Sequence, residues 1–96
     1  MLRIGIVGMG SWGQALVESV QGKSELLKFT AGHTRTAARA AAFCSKNKLR
    51  QVDSYEAMLA DPEIDAVLLA TPNSLHSQQV AQAAAAGKHV FCEKPF

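Results

Sequence analysis

Short aliphatic runs alternate along this chain with longer stretches of helical spacing. Leu2 to Val7 predicts a first strand. From Ser11 to Gln21 the apolar positions are Trp12, Ala15, Leu16 and Val20, which is the spacing of one helix face. Leu27 to Gly32 predicts a second strand. Thr36 to Lys46 is Ala-rich, with Ala37, Ala40, Ala41 and Cys44 on one helical face. Arg50 to Val52 is long enough for a short third strand. Asp53, with Glu56 three residues on, has capping-box spacing and predicts a helix carrying Tyr55, Met58 and Leu59. Asp61-Pro62 ends it, because proline cannot continue a helix. Ala66 to Ala70 is apolar throughout, as in a strand covered on both faces. Leu75 to Ala86 predicts a helix capped by Gly87, and His89 to Cys92 a fifth strand, expected to be buried.

Strands and helices in strict alternation, with continuously apolar strands, imply an α/β fold with helices on both faces of a parallel sheet. Right-handed crossovers favour a doubly wound, Rossmann-type order of 3-2-1-4-5. In such sheets ligands bind at the carboxyl ends of the strands, beside the point where strand order reverses. The loops after Val7, Gly32, Ala70 and Cys92 are therefore the ones to search for chemistry.

Composition narrows the class. With 96 residues the chain fits one domain, residues 1–96. Hydrophobic residues make up 48% and charged residues 19%, which excludes a disordered or low-complexity chain. No aliphatic run approaches the roughly 20 residues of a membrane span. The net charge of +2 is spread along the sequence, so no nucleic-acid partner is expected. Cys44 and Cys92 stand far apart without CxxC spacing, which suits a reduced cytoplasmic protein and argues against a metal site.

The chemistry begins directly after the first strand. Gly8-Met9-Gly10-Ser11-Trp12-Gly13 is a GxGxxG between a strand and a helix, the dinucleotide-binding context. Gly8 permits the tight turn, Gly10 lets a pyrophosphate approach the backbone, and Gly13 lets the helix pack close to the strand. The helix N-terminus offers free N–H groups and a positive dipole to phosphate. An NAD-specific fold places an acid about 20 residues further on, for the ribose 2′-hydroxyl. Here His33 and Thr34 occupy that place, and Arg35 follows. A hydroxyl beside an arginine suits a 2′-phosphate, bound by a charge-assisted fork, and Arg39 one turn on adds charge. This points to NADP(H) over NAD(H). The plainer reading makes Thr34 a helix cap and Arg35 a solvated surface residue. His33 is expected in the loop near the adenine. Trp12 is expected to cover the pyrophosphate or the nicotinamide edge, with helix packing as the alternative.

Two further segments follow the later strands. Asp65 to Pro72 reads DAVLLATP and runs on through Asn73 to His76; Ala86 to Pro95 reads AGKHVFCEKP. With the Gly loop, these segments resemble the glucose–fructose oxidoreductase / inositol 2-dehydrogenase (Gfo/Idh/MocA) family across essentially the whole chain. The resemblance implies the nucleotide-binding domain of an enzyme, an NAD(P)-dependent oxidoreductase acting on a sugar, cyclitol or related hydroxyl compound. It implies that Lys94 lies beside the nicotinamide and the substrate hydroxyl as the catalytic lysine. Glu93 would contact cofactor ribose or orient Lys94, and Pro95 would fix the turn. Ala70, Thr71, Pro72 and Asn73 would line the cofactor cleft. His76, four residues before Val80 and seven before Ala83, is expected on the packed face of its helix, in a structural or cofactor-positioning role. Without the resemblance, Lys94 reads as a solvated residue near a chain end.

The resemblance also implies a larger second domain that supplies the substrate pocket, other proton-transfer residues and, usually, the oligomer interface. The expectation is therefore a fragment of a longer protein, inactive alone, with room for a homo-oligomer. The alternative is a non-catalytic dinucleotide-binding module, a redox sensor or scaffold, which would have no need of a lysine at the nicotinamide.

Overall fold

The computed structural model describes residues 2–70 and 73–92. The chain runs through β1 (Leu2–Val7), α1 (Ser11–Val20), β2 (Leu27–His33), α2 (Ala37–Asn47), β3 (Arg50–Gln51), α3 (Tyr55–Ala60), β4 (Ala66–Leu69), α4 (Asn73–Ala85) and β5 (His89–Cys92). The strands form one sheet in the order β3-β2-β1-β4-β5. Every pairing is parallel. The predicted doubly wound order is therefore the observed one.

Alternation along the central strands divides the core in two. Ile4 and Ile6 of β1 and Ala66 of β4 face one side and join Val17, Phe29, Phe43 and Cys44 beneath α1 and α2. Val7, Val67 and Leu69 face the other and join Tyr55, Met58 and Ala83 beneath α3 and α4. The uniformly apolar β4 is thus covered on both faces, as a buried parallel strand must be. A side-chain amide straps the first cluster: Gln21, past the end of α1, donates to the carbonyls of Phe29 (2.9 Å) and Asn47 (2.8 Å) and accepts from the Phe29 N–H (3.0 Å).

Three local expectations change. The cap of α3 is Ser54, not Asp53: its Oγ accepts the Ala57 N–H at 3.0 Å, which leaves Asp53 one residue too early to cap. Ala41 is exposed, whereas Ala40 and Cys44 of the same helix are buried. Finally, β5 is not a buried strand. It forms the sheet edge, with Phe91 43% exposed and Cys92 exposed, because among the described residues nothing covers its outer side.

The amino ends of the strands are clamped by charge. Arg3 donates to Asp65 from its backbone N–H (2.8 Å), Nε (3.1 Å) and Nη2 (3.2 Å), tying β1 to the start of β4. Lys88 Nζ donates to the carbonyls of Asp61 (2.6 Å) and Ile64 (2.5 Å). The Asp65 carboxyl is held down to about 2, first by the side-chain bonds from Arg3 and then by the Arg3 N–H. Asp61 is lowered too, chiefly by the Glu63 N–H. An aspartate of the unfolded chain titrates near 3.9. A carboxylate depressed by folding stabilises the protein above that value and loses its contribution as pH falls through the folded pKa. Unfolding free energy should therefore hold steady above about pH 5 and fall as pH drops from about 4 to about 2. Urea midpoints measured across that range should show a shallower fall in Asp65→Asn, with Asp61 supplying the remainder. An identical slope in the variant would mean that the clamp adds nothing.

Candidate functional site

The carboxyl ends of β2, β1 and β4 lie side by side, tied by backbone bonds. The Gly8 N–H donates to the His33 carbonyl (2.8 Å), and the Ala70 N–H donates to the Val7 carbonyl (2.9 Å). Strand order reverses at β1, so the Gly loop emerges at the switch point.

The three glycines of the loop have three different reasons. Gly8 turns the chain with φ +94°, a conformation that L side chains rarely adopt. At Gly13 a Cβ would collide with the Gly8 carbonyl oxygen and would sit 3.5 Å from the Ala70 Cβ, so only glycine lets α1 start this close to β1 and β4. Gly10 is different. Its φ of −76° and ψ of −171° suit any residue, and nothing lies within 4 Å of where its Cβ would be. The fold itself does not require glycine there; the missing side chain leaves open space over the start of α1.

That space fits a phosphate. Gly10 caps α1 without a side-chain bond, the first turn holds no acidic residue, and the helical ladder starts with Gln14 N–H to the Gly10 carbonyl (2.9 Å). The amides before Gln14 are the ones a helix leaves without partners, and the helix dipole adds positive potential. Trp12 is 58% exposed, so helix packing does not account for it.

The second predicted cluster adjoins the first through the Gly8–His33 bond. His33 is the last residue of β2, not a loop residue, because β2 continues one position further than its pattern suggested. Its Nδ1 lies 2.9 Å from the Val52 carbonyl. A carbonyl only accepts, so Nδ1 carries the hydrogen and the ring is fixed by the segment after β3. Thr34 is half-buried and Arg35 exposed, and the cap of α2 is Thr36, so the reading of Thr34 as a helix cap is set aside. Arg39 is exposed in the first turn of α2, which also lacks acidic residues.

Thr71, Pro72, Glu93, Lys94 and Pro95 lie outside the described residues, as do the side chains of Ser11, Asn73 and His76. Val80, expected to share a packed face with His76, is 37% exposed, whereas Ala83 is fully buried. Open grooves of about 400 and 620 Å³ occur elsewhere, the first around Gln21 and Lys46, the second around Asp65 and Lys88. Neither is at the carboxyl ends of the strands, and the Lys88 ammonium is already bonded to two carbonyls. Met9, a spacer in the sequence motif, is buried at 5% exposure, and the only sign of this in the sequence is an apolar residue inside a Gly-rich turn.

A glycine-built phosphate cradle at the switch point of a doubly wound parallel sheet defines a dinucleotide-binding domain. Comparison with known proteins agrees. Residues 2–96 match the family described as oxidoreductase family, NAD-binding Rossmann fold (Gfo/Idh/MocA), and the chain belongs to that family. It is 37% identical over 97 residues to a scyllo-inositol 2-dehydrogenase (NADP(+)) of Bacillus subtilis, a match covering 100% of this chain and 29% of the relative. It superposes on scyllo-inositol dehydrogenase from Lactobacillus casei, solved with NAD(H) and scyllo-inositol, with a TM-score of 0.89 and 32% identity over 99% of this chain and 28% of that one. Biliverdin reductase from Synechocystis sp. PCC 6803, solved with biliverdin and NADP+, gives 0.88 and 37%, covering 98% of this chain and 29% of that one. The chain thus spans less than a third of the length of the curated relatives it matches, 27% and 29% for two of them.

The contrast between Gly10 and Gly13 is directly measurable. Gly13→Ala should destabilise the fold by roughly 1 to 3 kcal/mol, the cost of forcing a methyl into a packed contact. Gly10→Ala should cost about 1 kcal/mol or less, the loss of a favoured cap residue. Urea denaturation of both variants checks the order; equal losses would mean that the helix does not depend on the close approach at Gly13.

Proposed function

We propose that this chain is the dinucleotide-binding part of an oxidoreductase that moves a hydride between a nicotinamide cofactor and a sugar, cyclitol or related hydroxyl or carbonyl compound. The observation that carries the reading is the open, uncapped start of α1 above Gly10 at the switch point. The two scyllo-inositol dehydrogenases among the similar proteins support the substrate class. The share of those proteins that the chain spans supports the view that substrate is bound mainly by a further domain. Among the described residues no helix is long and apolar enough to cross a membrane. Cys44 is buried and Cys92 exposed, with no disulfide between them, which supports a cytoplasmic setting.

The amides at Gly10, Ser11, Trp12 and Gly13 would hold the pyrophosphate. Thr34 and Arg35 would hold a 2′-phosphate, with His33 beside the adenosine and Arg39 adding charge, so NADP(H) is preferred over NAD(H). Ala70, Thr71, Pro72, Asn73 and His76 would line the cleft toward the nicotinamide. The nicotinamide, when bound, supplies or accepts the hydride. The Lys94 ammonium would orient the reacting hydroxyl or carbonyl, stabilise charge on its oxygen and hold its proton, with Glu93 orienting Lys94 and Pro95 fixing the turn.

Arg35→Ala should weaken NADP(H) binding about ten- to a hundredfold, the worth of a hydrogen bond to a charged group, and leave NAD(H) nearly unchanged. Calorimetry with each cofactor decides, and equal losses would defeat the 2′-phosphate assignment. Gly10→Val should abolish binding of both cofactors in a folded protein, since a branched side chain would fill the cradle.

In the enzyme that contains this domain, Lys94→Ala should lower kcat by about 10²-fold or more at saturating cofactor, the scale of a lost acid–base or polarising group, with a much smaller change in cofactor dissociation. Recovery of kcat on saturation would reduce Lys94 to a cofactor anchor.

A further inference from the structure

Two residues of the Gly8–Gly13 loop have no part in ligand binding: Gly8, which turns the chain, and Met9. Met9 stands between Gly8 and Gly10, yet its side chain packs downward onto two other elements. A Cβ placed on Gly32, the penultimate residue of β2, would come within 2.7 Å of the Met9 Sδ and 2.9 Å of its Cε, so the thioether lies directly over that glycine. From α2 the Cys44 thiol meets the same sulfur at 3.5 Å. The Met9 carbonyl accepts from Gln14 Nε2 at 3.1 Å, which ties this residue's backbone to α1 as well.

These contacts bracket residues 33–36. Gly32 comes immediately before that segment, and Cys44 lies in the helix that follows it. The Gly8–His33 backbone bond joins the two loops at the same level. In a dinucleotide the 5′-phosphate and the 2′ position belong to one ribose, so the loops that hold them must keep their separation to about half an ångström. A methionine suits the task, since its unbranched, polarisable chain fills an irregular gap over a glycine and against a thiol. Burial raises the Cys44 pKa, which keeps that partner a neutral thiol.

We propose that Met9 is a positioning residue that sets the distance between the Gly8–Gly13 loop and the Thr34–Arg35 loop, and through it the discrimination between NADP(H) and NAD(H). The inference rests on the dinucleotide-binding reading above. Alanine at this position removes the wedge and lets the loop and α2 settle together, whereas leucine conserves its volume.

The test compares the unaltered protein with Met9→Ala, Met9→Leu and Gly32→Ala, by NADPH and NADH titration and by backbone hydrogen exchange without cofactor. Met9→Ala should weaken NADPH about tenfold more than NADH, within the usual range of coupling between sites. Gly32→Ala, which presses on the thioether from below, should shift the same ratio, and Met9→Leu should keep it close to that of the unaltered protein. Exchange at the Gly8 amide should accelerate about tenfold in Met9→Ala while the amides of β4 keep their protection. An unchanged NADPH-to-NADH ratio in folded Met9→Ala overturns the proposal. If the unaltered protein binds neither dinucleotide, the proposed function fails, and exchange alone decides on Met9: selective loss at Gly8 supports the wedge, uniform or absent loss overturns it. If Met9→Ala does not fold, Gly32→Ala set against Met9→Leu makes the same comparison.

Discussion

The close approach of α1 to the end of β1 is the constraint on which the rest of this molecule depends. At Gly13 not even a methyl group fits between the helix and the Gly8 carbonyl. Because the helix can come that near, its N-terminus stands over the carboxyl edge of the sheet and not out in solvent beyond it. The open space above Gly10 and the nearness of α1 to Ala70 follow from that placement, and the bond from Gly8 to His33 continues the β1–β2 ladder at the same edge. Move α1 outward by the width of a side chain and the uncapped amides no longer face the place where strand order reverses.

The two ends of the sheet do different work. At the amino end Arg3 bonds to Asp65 and Lys88 to the carbonyls of Asp61 and Ile64; the Asp65 carboxyl is held ionised by Arg3, and that of Asp61 chiefly by the Glu63 N–H. Exposed ion pairs of this kind contribute little each. The two buried clusters, one on each face, supply most of the stability by removing apolar surface from water. At the carboxyl end Trp12, Arg35 and Arg39 stand exposed on short loops and first helical turns. A rigid sheet that presents polar and aromatic groups on its loops is the usual division between scaffold and site.

Between those ends, β2 joins the two halves of the site. Its last residues, Gly32 and His33, touch the phosphate loop through the Met9 side chain and the Gly8 amide, while the Val52 carbonyl fixes the His33 ring from the far side. The segment that follows, Thr34 to Thr36, is therefore held at its entry by β2 and at its exit by α2. A loop with both ends fixed can present Thr34 and Arg35 in one geometry.

The sequence by itself determined the elements, their order and the point where strand order reverses. Period and punctuation sufficed for this. The apolar run of β4, the proline after Asp61 and the glycine turn after Val7 are local signals, and a strand–helix alternation of this kind has few allowed topologies. Gly8 and Gly13 were legible too, because each answers to a backbone requirement written in residue type, whereas the fold requires no glycine at position 10. Only the tertiary structure decided the rest. Ser54, and not Asp53, caps α3 because that choice turns on one residue of register. The exposure of β5 depends on what lies beside a strand, which its own apolar residues do not reveal. His33 is held by Val52, and Met9 by Gly32 and Cys44, across gaps of 19 to 35 residues. Such contacts are made by chain closure, and no local pattern records them.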